Sequence, residues 1–126
     1  MLINPKKLIR SFSFAFDGLR LAVQVDQNVR FHLFVGAIAL LLSFIFKIEK
    51  YDFFIVLISI FFVVITEMVN TAIEEMTNLI KEEHSREARI AKDVAAGAVF
   101  LAALFALIVG IIVFLPHFLN LLQPTT

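Results

Sequence analysis

Three apolar runs, separated by short charged stretches, set the frame of this sequence. They are roughly Phe31 to Phe46, Phe53 to about Ile73, and Val94 to Leu115, the last free of charged residues. Helices of this length cross, or nearly cross, a hydrocarbon core of about 30 Å. The first becomes long enough if its helix begins before Phe31. Ahead of them, Leu8, Ile9, Phe12, Phe16, Leu19 and Val23 recur at three- and four-residue steps. Lys7, Arg10, Asp17, Arg20 and Gln24 fall mostly on the opposite side. That pattern predicts an amphipathic helix within residues 1–30, lying in the membrane interface. Gly18 is its weak point or a close-approach site. No alternating ten-residue pattern suggests a transmembrane barrel. The expectation is an all-α membrane protein, residues 1–126 forming one domain, with three spans at about 31–46, 53–73 and 94–115.

Composition narrows the class. With 126 residues, 60% of them hydrophobic, the chain is too apolar for disorder, and a soluble domain of this size could not hide three such helices. Its formal net charge of zero gives no basic excess of the kind nucleic acid requires, and no nucleic-acid partner is expected. Without cysteine there is no disulfide framework, no thiolate nucleophile and no Cys-based metal site. The first apolar run lacks the short hydrophobic region and small-residue cleavage site of a removable signal peptide.

The positive residues predict orientation. Lys6, Lys7, Arg10, Arg20 and Arg30 precede the first span, and Lys81, Arg86, Arg89 and Lys92 lie between the second and third. Only Lys47 and Lys50 lie between the first and second. Nine positive residues against two place the N-terminus and second loop in the cytoplasm and the C-terminus outside the cell membrane.

The polar residues at the end of the second run carry the candidate chemistry. Glu67, Asn70 and Glu74 are offset by three and seven, which returns them to one helix face, spread over about 10 Å. Ionisable groups in a membrane segment are rare and point to function. Phosphoryl transfer would use such a set: carboxylates hold Mg²⁺ bridging phosphate oxygens, and a base takes the acceptor's proton. Glu67, deepest in the apolar run, suits the base. Glu74, nearer water, suits the metal. Lys92 and Asp93 suit phosphate and metal. No Gly-rich phosphate loop is present. A small oligomeric transporter or scaffold, its acids paired inside the bundle, is the competing reading. A transporter's acids would more naturally sit near the midplane among broken helices. Ala98, Ala102, Ala106 and Gly110, each four apart, predict close helix packing, and oligomerisation is the simplest source of shielding for the acids.

The stretch from Glu67 through Asn70 to Glu74, followed by Ala91-Lys92-Asp93, resembles the signature of prokaryotic diacylglycerol kinases and undecaprenol kinases. The three-span layout is similar too, over about residues 6–115, and the wording of the motifs is nearer the undecaprenol kinase branch. The resemblance implies a homotrimer with sites shared between subunits. ATP with Mg²⁺ would enter from the cytoplasm and a lipid alcohol from the bilayer, undecaprenol or alternatively diacylglycerol. By position it implies Glu67 as catalytic base, Asn70 as site amide, Glu74 as metal ligand, and Lys92 and Asp93 as nucleotide and phosphate contacts. Asp26, four residues ahead of Arg30, stands where the family usually has a metal-binding Glu; its arm is one methylene shorter, and it remains an oxygen ligand for Mg²⁺. Asn78 stands where the family more often has Asp and is not claimed. Arg10 and Phe14 fall where the family places residues near the nucleotide.

The remaining charges read as surface. Glu75, and the loop with Glu82, Glu83, Arg86, Glu87 and Arg89, read as solvated. His84 has no metal-ligand spacing, and His32 and His117 read as lone interfacial histidines. Asp93 has a second reading as a helix N-terminal acid.

Overall fold

The computed structural model describes residues 2–80 and 85–124, which form four helices: α1 (Pro5–Val25), α2 (Gln27–Ile45), α3 (Lys50–Asn78) and α4 (Arg86–Leu121). Lys81, Glu82, Glu83 and His84 of the charged loop lie outside the described residues.

Each start has a local cause. Asn4 caps α1 by accepting from the amides of Lys6 and Lys7, with Pro5 in the first turn. Ser85 caps α4 through the Ala88 amide. A single residue separates α1 from α2. Asp26 leaves helical geometry (φ −108°, ψ 119°), and its Oδ1 accepts from the Asn28 amide at 2.7 Å, capping α2. The Arg30 guanidinium reaches back from α2 and donates to the carbonyls of Val23 (2.7 Å) and Gln24 (3.1 Å). It thereby satisfies acceptors that the end of α1 leaves open. Between α2 and α3, Lys47 takes a left-handed conformation (φ 49°), which makes the turn.

α2, α3 and α4 are each long and apolar enough to cross a membrane. Two exceed the expected spans. α3 has 29 residues and α4 has 36, which is about 43 Å and 54 Å of helix. Hydropathy marks where lipid ends, whereas Glu74, Glu75 and Asn78 continue the α3 backbone ladder into polar surroundings.

α3 packs most extensively on α4 and then on α2, while α1 meets chiefly α2. The seam is read by sevens. Val56, Val63, Asn70 and Thr77 are buried on α3, and Ala88, Ala95, Ala102 and Val109 on α4. Val56 and Val109 meet in one apolar cluster with Val113 and Phe114. Of the four-residue stripe expected on α4, only Ala102 is fully buried within one subunit; Ala98 is exposed and Ala106 and Gly110 are half-buried. A step of four residues drifts about 40° around a helix, while a step of seven drifts about 20° the other way. Sevens therefore stay with a neighbouring helix longer than fours do. Gly36 of α2 lets that helix approach α3 closely, since a Cβ there would lie 2.9 Å from Ile60 Cγ2.

Phe114 apart, the apolar interior is made of Ala, Val and Gly, and the exterior is rich in Phe, Leu and Ile. Phe31, Phe44, Phe61 and Phe100 are all exposed. Against lipid there is no gain in hiding large apolar side chains, and small ones let backbones approach.

Candidate active site at the α1–α2 elbow

Glu67 is the most deeply buried charged residue described, only 1% exposed. One subunit achieves this alone. The sequence points to oligomerisation for the shielding, but α2 contributes to it within one subunit, with Asn28 and His32 in the turns after the elbow. His32 Nε2 stands 3.6 Å from Glu67 Oε2. The Asn28 and Asn70 side chains and the Asp26 carboxylate also lie beside the Glu67 carboxyl. Glu67 Oε1 and Asn70 Oδ1, both buried, have no hydrogen-bond partner among the described residues. Buried polar atoms are normally satisfied, so these two acceptors mark where something else arrives.

The rest of the acidic group is joined to Glu67 by single contacts. Asn70 Nδ2 donates to Glu74 Oε1 at 3.3 Å, one turn along α3. The Thr71 hydroxyl lies within hydrogen-bond distance of Asp26 Oδ2 and of the Glu67 carbonyl, and has one proton to share between them. Thr71 therefore ties the elbow to α3 directly beside Glu67. Asp26, Glu67, Asn70 and Glu74, named from sequence, are thus linked one to the next along the elbow and α3. Lys92 of α4 joins the rim of this group, Nζ donating to Asn78 Oδ1 at 3.5 Å, and Asp93 is exposed beside it.

Arg10 and Phe14 are not brought to the cluster within one subunit. Both are exposed on α1, about 24 Å and 18 Å of helix rise from Asp26. Sequence reasoning missed two members. Thr71 was hidden inside the motif by its ordinary helix position. His32 reads from sequence as a lone histidine, because nothing in its local spacing shows that α2 lays it against Glu67. His117, read the same way, stacks on Phe46 with ring centroids 5.3 Å apart.

Among the described residues no three metal-ligating side chains converge. Mg²⁺ needs fewer, because it is commonly held by one or two carboxylates while phosphate oxygens and water complete the octahedron. Asp26 and Glu74 fit that requirement. Both are half-buried hard oxygen donors, each engaged by hydrogen bonds that leave acceptor capacity.

The family described as prokaryotic diacylglycerol kinase matches residues 13–114. The undecaprenol kinase of Bacillus subtilis is 32% identical over 110 residues, covering 87% of this chain and 89% of that protein. The diacylglycerol kinase of a Synechocystis species is 35% identical over 121 residues, covering 95% of this chain and 69% of that protein.

Proposed function

Starting from a chain that belongs to the prokaryotic diacylglycerol kinase family, and is thus a membrane lipid kinase, we propose that it transfers the γ-phosphate of MgATP to undecaprenol, giving undecaprenyl phosphate. One observation carries the catalytic part of this reading: a carboxyl buried at the end of an apolar bundle, among amides and an imidazole, with Oε1 left without a partner among the described residues. An acceptor hydroxyl reaching Oε1 gives up its proton to Glu67. Its oxygen then bonds to the γ-phosphorus, the bond to the β–γ bridging oxygen breaks, and ADP leaves. Such transfer depends on positioning and charge stabilisation more than on covalent catalysis. Asp26 and Glu74 are the residues that would hold Mg²⁺, which supplies charge neutralisation at the phosphates when bound. Asn70 steadies Glu74 and offers its free carbonyl oxygen to the site. Lys92 and Asp93 face the nucleotide phosphates, and Arg10 and Phe14 its outer part. These last two are distant in one subunit, which accords with a homotrimer whose sites are shared between neighbours. The N-terminus lies in the cytoplasm, where ATP is, with α1 in the interface and the C-terminus outside.

Undecaprenol is favoured because the similarity to the Bacillus subtilis undecaprenol kinase spans nearly the full length of both proteins. Diacylglycerol is the second reading, favoured by the higher identity to the Synechocystis protein. Purified protein in mixed micelles, given labelled ATP and equal amounts of the two alcohols, decides between them. Label is expected mainly in undecaprenyl phosphate. Predominant phosphatidic acid would transfer the assignment to diacylglycerol.

A further inference from the structure

We propose that His32 is a positioning residue for catalysis, orienting the Glu67 carboxyl so that Oε1 faces the acceptor hydroxyl. The inference rests on the reading of Glu67 as the base and deepens it.

Four features converge on His32. Its Nε2 is 3.6 Å from Glu67 Oε2, the oxygen opposite the unpartnered Oε1. A cationic or N–H-bearing neighbour at one carboxylate oxygen fixes the plane of the group, and with it the direction in which the other oxygen points. The separation is slightly long for a hydrogen bond, as catalytic contacts commonly are before substrate binds. The imidazole is held in turn. Phe31 meets it edge-on, with centroids 5.6 Å apart and planes at 66°. One turn further, the close approach of Gly36 to Ile60 fixes α2 against α3, so the His32–Glu67 spacing is set by backbones.

The fourth feature is a groove of about 550 Å³ between α2, α3 and α4. Its lining is apolar except for His32 at one end and Ser59. Ser59 gives its hydroxyl to the Ile55 carbonyl of its own helix, at 2.7 Å. Hydrocarbon lying in the groove thus meets its polar end at His32, beside Glu67. An ionisable residue in a span calls for a functional explanation, and His32 has one here.

The test is a double-mutant cycle on the full protein in lipid micelles with MgATP and undecaprenol. His32→Ala is expected to lower kcat by about 10- to 100-fold, the scale of a misplaced catalytic group. KM for lipid and ATP should hold, and His32→Gln, which keeps an N–H donor, should recover part of the loss. Added to Glu67→Gln, His32→Ala should cost nothing more, because residues acting as a unit are non-additive. Parental turnover in His32→Ala, a loss confined to KM, or an equal loss in both backgrounds overturns the proposal. Collapse of Glu67→Gln beside a fully active His32→Ala removes only the positioning role. Parental turnover in Glu67→Gln removes the base and the positioning role together. If His32→Ala lacks the parental melting transition, the cycle is run with His32→Gln and His32→Asn. Equal fold-losses in the two backgrounds then overturn it.

Discussion

A carboxyl buried at the end of a membrane bundle is costly to keep, and its neighbours show how the cost is met. Glu67 is surrounded by amides and an imidazole, while Glu74 and Asp26 are half-buried and hydrogen-bonded. These environments predict different failures. Glu67→Gln preserves shape and removes basicity, so we predict turnover at least about 100-fold lower with melting unchanged. Parental activity in steady-state assays would eliminate the base. For Asp26 the structure separates two roles, because Asn caps a helix as well as Asp does. Asp26→Asn should keep the melting temperature and raise the Mg²⁺ concentration for half activity. Asp26→Ala should do both kinds of damage, with about 0.5–2 kcal/mol of lost cap. Equal Mg²⁺ titrations for the parent, Asp26→Asn and Glu74→Gln would remove both residues from the metal site. At this scale, Glu67, Asn70 and Glu74 were legible because their spacing is periodic within one helix. His32 and Thr71 were not, because their meaning lies in contacts between helices.

The elements are joined by small residues, and each joint gives a contrast of its own. A Cβ at Gly36 would press on Ile60 Cγ2 at 2.9 Å, whereas one at Gly97 meets nothing within 4 Å of the same chain. We predict that Gly36→Ala lowers thermal stability and moves α2 away from Glu67, costing activity as well. Equal melting of Gly36→Ala and parent would mean that Ile60 yields freely. On α4, Ala102→Leu must overfill a fully buried seam position, a change typically worth about 1–3 kcal/mol. Ala98→Leu meets only open surface within one subunit. If Ala98 faces a neighbouring subunit instead, its Leu variant should fall apart into smaller species in mild detergent while Ala102→Leu mainly melts earlier. Mass measurement and thermal scans separate the two. The existence of the spans was legible in hydropathy. The seam was not, because α4 offers small residues at both four- and seven-residue steps, and only the packing against α3 chooses between them.

As a whole the molecule is a three-helix bundle carrying a fourth helix on an elbow, with small residues inside and large ones toward lipid. The proposed orientation predicts that a single cysteine placed at Lys7 is shielded from an impermeant thiol reagent in intact cells, and one placed at Asn120 is labelled. The chain's lack of cysteine makes the experiment direct. The reverse pattern would invert the topology. Fold class was readable from sequence because lipid imposes helices and fixes their length. How α1 is carried was not, since one capping residue determines it. That elbow makes α1 a lever. With Arg10 about 24 Å out along the helix, a swing of roughly 10° at Asp26 carries it about 4 Å. The same swing leaves Glu67 where α3 and the first turns of α2 hold it. On the proposed reading, the acceptor side is thus built to a fixed gauge, and the nucleotide side hangs on a single joint.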